Sequence, residues 1–285
     1  MLAGLRKIGI GTDTEGYVKV LFDASCRTDN FFEYLNSYVY INFQNKPVTN
    51  WEFGYNVLMY LSTVLTHSYQ GILFSTHIII MLLIYGGLKR TKNEEYIFWG
   101  ILSFYFLLFG STLNLMRQWI SIAILFYGFR FLQEKKNVNY FIAVICAILF
   151  HNSGIIGFLI WLVYKYFANG TKKFILKING KEIDNDICKL IILAIVGVTL
   201  LVGLDILANI LNSINPIFAR YVRLYISGNV AIMPMQLVRR LPIIFILVIN
   251  WKKLKDKYSS TPFLYGIYLI DILVAQLGSI NAQSG

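Results

Sequence analysis

The sequence predicts an all-α fold: a polytopic integral membrane bundle of helices with a cavity open to the outer face. Three observations predict it. Hydrophobic residues make up 56% of the 285-residue chain and charged residues only 14%, with a mean hydropathy of +0.58; a soluble domain carries about 25% charged residues. Apolar runs recur at lengths near the ~20 residues that a bilayer span needs. The basic residues between these runs also separate by type. Most lysines fall in one set of alternate loops, and seven of the nine arginines fall in the other.

Taken in order, residues 1–50 are mixed and polar and carry no signal peptide, and the orientation set by the basic loops makes them an extracytoplasmic segment. Residues 52–66 are apolar but short, which predicts a re-entrant or interfacial helix. About eight transmembrane helices follow, at 69–88, 95–114, 115–132, 138–151, 153–168, 187–211, 241–251 and 262–280. Three of these (138–151, 153–168 and 241–251) need flanking residues or shielding within the bundle to reach across. No internal repeat interrupts the pattern, and a single membrane domain covers 1–285.

Short basic loops set the orientation. Lys89, Arg90 and Lys92, then Arg130, Lys135 and Lys136, then the lysines around 165–189, then Lys252 to Lys257 alternate as cytoplasmic loops. This leaves Arg6, Arg27, Arg117, Arg220, Arg223, Arg239 and Arg240 outside. Positive charge is disfavoured there, so arginines kept outside need a reason. A guanidinium offers a fixed fork of donors that matches phosphate oxygens. The residues therefore point to a phosphorylated ligand held at the outer face.

Other classes fall away. The net charge of +11 is dispersed among short loops with no basic stripe, which excludes nucleic acid as a partner. Cys26, Cys146 and Cys188 are isolated, and the three histidines have no ligand spacing, so no metal and no cofactor are expected. No nucleophile elbow or phosphate-binding loop occurs; Gly9 and Gly11 mark a turn. Chemistry is left to carboxylates, His151 and arginines. A helical rise of ~1.5 Å per residue puts Arg117, His151, Asp205, Arg240 and Asp271 about 18–24 Å above the inner loops. That is the outer third of a ~30 Å core, the level of a cavity floor. Pairing of Asp205 and Asp271 with arginines is the structural alternative.

Several local patterns line up with one family. Arg6, Gly11, Asp13 and Tyr17 match an arginine, a Gly-x-Asp and a tyrosine in series. Glu52, Gly54 and Tyr55 match a Glu-Pro-Gly-Tyr with Phe53 in place of proline. Arg117 and Gln118 match an Arg-Gln-x-x-Ala with Ser121 in place of alanine, and Phe150 to Ser153 match a Phe-His-x-Ser. In this ordered set the chain resembles the EpsG family of Wzy-like bacterial exopolysaccharide and capsule polymerases, most closely over residues 1–160. The resemblance implies a GT-C-like bundle in the bacterial cytoplasmic membrane. It also implies a span before Arg6 and further chain after Gly285, so the sequence is expected to be truncated at both ends.

What the resemblance implies is a metal-independent membrane glycosyltransferase that joins polyprenyl-diphosphate-linked repeat units at the outer face. Its partners would be a lipid-linked glycan donor, a lipid-linked acceptor, the bilayer and other polysaccharide assembly proteins. Arg117, Arg220 and Arg239, with Arg6 and Arg240, are the candidates to bind the diphosphate. His151 is the first choice of general base because imidazole titrates near neutral pH; Asp13 and Glu52 are its rivals. Gln118, Tyr17 and Tyr55 are candidates to bind sugar, and Trp119 offers another ring. A lipid-linked oligosaccharide flippase also needs outer arginines, and a polysaccharide acyltransferase also needs a bundle histidine; both classes stay open.

Overall fold

A computed structural model describes residues 3–41, 43–168, 177–178, 181–182, 184–202, 210, 213 and 234–278. Most of these are helical. The chain divides into two compact units, Met1–Trp161 and Leu162–Gly285.

The first unit opens on a turn in which Gly9 and Gly11 take φ of +97° and +95°, backbone that an L side chain strains to adopt. A π-turn (Thr14–Val18) then leads into α1 (Lys19–Cys26). Next come α2 (Phe31–Leu35), whose cap Asn30 accepts from the Glu33 N–H at 2.9 Å, and a hairpin of β1 (Tyr38–Ile41) and β2 (Gln44–Pro47). Tyr34 closes this lobe from within. Its hydroxyl donates to Asn56 Oδ1 at 3.2 Å, and Asn56 Nδ2 donates to the carbonyls of Val48 and Trp51. Residues 3–41 and 43–50 thus form a small lobe, and among the described residues two short hairpins join what composition reads as wholly helical.

The run 52–66 folds as α3 (Phe53–Thr66). After it, α4 (Tyr69–Lys89) begins at a Ser68 cap and ends at Lys89, which suits the negative end of the helix. The next run is broken. It forms α5 (Glu94–Ser103), capped by Asn93, then a π-turn (Phe104–Leu108) and the short α6 (Phe109–Thr112). The unit continues with α7 (Met116–Gln133), α8 (Asn137–Phe150) and a 3₁₀ turn (Asn152–Ile155) that leads into α9 (Ile156–Ala168). A core joins the first lobe to α3, α4 and α7 through Val18, Leu21, Tyr55, Met59, Ile72 and Ile120, all fully buried.

The second unit contains a hairpin of β3 (Lys177–Ile178) with β4 (Lys181–Glu182), then α10 (Asn185–Val202), α11 (Pro234–Lys257) and α12 (Thr261–Gly278). Both α10 and α11 pack on α12. Lys255 Nζ bridges Asp184 and Asp186 at 2.6 and 2.7 Å. Although partial burial works against the charge, Lys255 holds the Asp184 carboxyl below its usual value.

Among the described residues, α4 is the one helix both long and apolar enough to cross a membrane. The apolar helices Asn137–Phe150 and Thr261–Leu273 are shorter. Over their described residues the other runs read as spans are largely helical, several of them below that length.

Candidate active site

The site is assembled where helix N-termini meet. The α7 N-terminus has no cap from its own neighbour, Leu115. Instead Asp13 Oδ2, 103 residues earlier, accepts the Met116 N–H at 2.8 Å. A carboxylate at that position satisfies an orphan donor and suits the positive end of the helix. The same oxygen accepts the Tyr17 hydroxyl at 2.5 Å. The register is fixed by Thr12, whose N–H donates to Asn114 Oδ1 at 3.2 Å, and by Gly11, where a Cβ would strike the Leu113 carbonyl oxygen.

Glu52 repeats the device. It precedes α3 without capping it. Its Oε2 pairs with Arg117 Nη1, and its Oε1 accepts the Asn152 N–H at 3.3 Å, at the start of the 3₁₀ turn. Gly54 makes this approach possible: a Cβ there would lie 2.8 Å from the Leu149 carbonyl oxygen. Gly154 does the same on the other side, where a Cβ would meet Ala147 C and Ile148 N at 2.6 Å.

Arg117 is held on two sides. Its guanidinium lies 4.4 Å from the centre of the Tyr17 ring, a cation–π contact, and it pairs with Glu52. Its Nε has no partner among the described residues. Arg6 is 6% exposed and, among the described residues, donates only to Met116 Sδ, at 3.0 Å. Its Nε and Nη1 are likewise unpartnered among the described residues. A buried guanidinium without a carboxylate costs several kcal/mol, and burial pulls Arg6 below its ordinary pKa.

The two acid–base candidates differ in what their atoms are free to do. Burial raises the Asp13 carboxyl above its usual pKa, even though the Tyr17 and Met116 hydrogen bonds and the nearby Arg117 and Arg6 charges favour the ionised form. Both hydrogen bonds fall on Oδ2 and leave Oδ1 unengaged among the described residues. In His151, Nδ1 accepts the Ser153 N–H at 3.1 Å and lies 2.7 Å from Ser153 Oγ. A nitrogen that accepts a backbone N–H carries a lone pair, which puts the proton of the neutral ring on Nε2.

The remaining sequence candidates separate. Tyr17 is buried, and its ring meets Tyr55 edge to face at 5.6 Å. Tyr55 is 0% exposed, and Trp119 is buried against Phe104, so neither presents an open face to a sugar. Gln118 lies half-buried on the first turn of α7. Arg239 and Arg240 belong to the second unit. There Arg239 is exposed, while Arg240 pairs with Asp271 through Nε at 2.8 Å and Nη2 at 3.3 Å. Arg220, Arg223 and Asp205 lie outside the described residues. Sequence reading missed Asn114 and the backbone N–H groups of Met116 and Asn152. A polar residue just before the Arg-Gln pair was the one available signal.

Among the described residues no group of three or more His, Cys, Asp or Glu is placed to hold a metal ion. Two carboxylates, a histidine and two arginines gather around the N-termini of α3, α7 and the 3₁₀ turn, a cluster of acidic, basic and imidazole side chains. The sequence model of the EpsG family matches residues 1–282, and the chain belongs to that family. Membership implies a Wzy-like polysaccharide polymerase role in exopolysaccharide biosynthesis and association with a membrane. No curated protein and no solved structure matches the chain.

Proposed function

We propose that this protein polymerises polyprenyl-diphosphate-linked oligosaccharide repeat units at the outer face of a bacterial cytoplasmic membrane. The observation that carries the reading is the pair of partly unsatisfied guanidinium groups, Arg6 and Arg117, beside the Asp13 carboxyl, whose pKa burial raises. The outward faces of several helices support a membrane setting. On α8, Val138, Ile142, Ile145 and Leu149 form an exposed apolar row at helical spacing, which suits hydrocarbon rather than water.

In the reaction, an acceptor sugar hydroxyl attacks the anomeric carbon of the donor glycan. The bond from that carbon to the diphosphate oxygen breaks, and polyprenyl diphosphate leaves. Negative charge grows on the leaving group, and preorganised donors stabilise it more strongly in a water-poor site. Arg117 and Arg6 fill that role with the N-terminus of α7. Asp13, through Oδ1, takes the proton of the attacking hydroxyl. His151 presents Nε2–H and serves as a donor to sugar or phosphate. Glu52 uses both oxygens to fix Arg117 and the His151 segment, and so positions them.

Lipid-linked sugars and polymer from cells carrying chain variants test this reading. Arg117→Lys keeps the charge but loses the bidentate fork, so single lipid-linked repeats should accumulate outside. Full-length polymer from that variant sinks the reading. Repeats trapped inside would indicate a flippase, and normal chains lacking acyl groups an acyltransferase.

A further inference from the structure

The C-terminal ends of α4 and α7 carry a second pair of arginines that the polymerase chemistry does not use. Gly86 and Gly87 open one side of α4: a Cβ there would meet the Tyr127 ring at 3.0 Å and the Phe126 ring at 2.5 Å. Both rings of α7 therefore lie against the α4 backbone, and a groove of about 380 Å³ opens beside them. Arg90, Thr91, Arg130 and Gln133 line it together with the rings of Phe126 and Tyr127.

Arg130 is held for recognition rather than for pairing. Its guanidinium lies 3.8 Å from the Tyr127 ring centre and 4.4 Å from that of Phe131. Stacking fixes its plane and leaves the N–H edge for a ligand. Its buried Nε has no partner among the described residues. No carboxylate lines the groove among the described residues; Glu134, one residue beyond Gln133, pairs with Arg90 and with Lys136, the latter at 2.9 Å. Lys89, Lys92 and Lys135 in the adjoining turns outnumber Glu94 and Glu95. A planar fork, surplus positive charge and an apolar wall define one ligand chemistry: a phosphate anion, best attached to something apolar.

We propose that this groove binds a phosphate-bearing headgroup, supplied either by an anionic membrane lipid or as a free phosphate anion. It lies 13 residues along α7 from Arg117, or ~20 Å of helix. On the basic-loop orientation it faces the cytoplasm, where grooves of this kind take anionic lipids. The proposal does not depend on the polymerase reading, and its readout is binding rather than synthesis.

Native mass spectrometry of the full chain tests it, with phosphatidylglycerol and phosphatidylcholine as probes and inorganic phosphate in a separate titration. The chain should retain phosphatidylglycerol about tenfold better than phosphatidylcholine. Arg130→Gln and Arg90→Gln should each reduce that preference several-fold, and the double variant should abolish it. Arg90 is 43% exposed, so its variant removes charge without disturbing the core. If inorganic phosphate displaces the lipid at millimolar concentration and the same variants weaken it, the occupant is the free anion. Equal retention of both lipids with no phosphate binding overturns the proposal. So does unchanged phosphatidylglycerol retention in the double variant.

Discussion

Asp13 does three things with one carboxylate: it caps α7, accepts Tyr17 and faces two guanidinium groups; in the proposed reaction its Oδ1 takes the substrate proton. Asp13→Asn preserves the cap and should lower turnover about 10²–10⁴-fold, read in a polymerisation assay on purified lipid-linked repeats. The raised pKa gives this role a pH signature. A base must be ionised, so the acid limb of kcat/KM should lie above the usual carboxylate range and vanish in Asp13→Asn. The same shift has a sign for stability. The folded state binds this proton more tightly than the unfolded chain does. The stabilisation is full below the unfolded pKa and is lost as pH rises through the folded one. Thermal unfolding should therefore show Asp13→Asn gaining on the wild type from acid to neutral pH. Ser121 makes a simpler case. Its hydroxyl is buried without a partner among the described residues, and Ser121→Ala should raise stability by about 1 kcal/mol in the same experiment.

At the level of elements, two glycines set the spacing on which the site depends. Gly54 lets the start of α3 touch the end of α8, and Gly154 lets the 3₁₀ turn fold back on the same helix. In both places the obstructing atoms are backbone and cannot swing aside. Gly54→Ala and Gly154→Ala should each cost about 1–3 kcal/mol. They should also reduce turnover beyond what the loss of folded protein explains, because Glu52 and His151 would move. A drop in activity that simply tracks folded protein would reduce these glycines to packing. These contacts were only partly legible beforehand. Runs of apolar residues and the caps at Ser68 and Asn93 are local signals, and the helices follow them. The break at Phe104–Leu108 and the long-range cap of α7 by Asp13 are not local, so no periodicity announces them.

For the molecule as a whole, the outer placement of the site rests on which loops face the cytoplasm. A cysteine introduced at Asp29 should react with an impermeant reagent in intact cells, whereas one at Lys135 should react only after permeabilisation. The reverse pattern would put Arg117 and His151 on the wrong side for an exported polymer. It would also turn the Arg90 and Arg130 groove outward. Cys26, already exposed in the first lobe, provides an internal comparison for Asp29.

Composition, run lengths and the ordered motifs were enough by themselves to predict a mostly helical fold, association with a membrane and the family. Each depends on local chemistry that chain order preserves. Only the tertiary structure brought Asp13, Glu52, Arg117 and the His151 segment together, because their contacts span 65 to 103 residues of chain. It also closed Tyr55 away from any sugar and tied Arg240 to Asp271. Whether a side chain faces a ligand or another side chain depends on how helices pack, and spacing along one strand of sequence does not encode that.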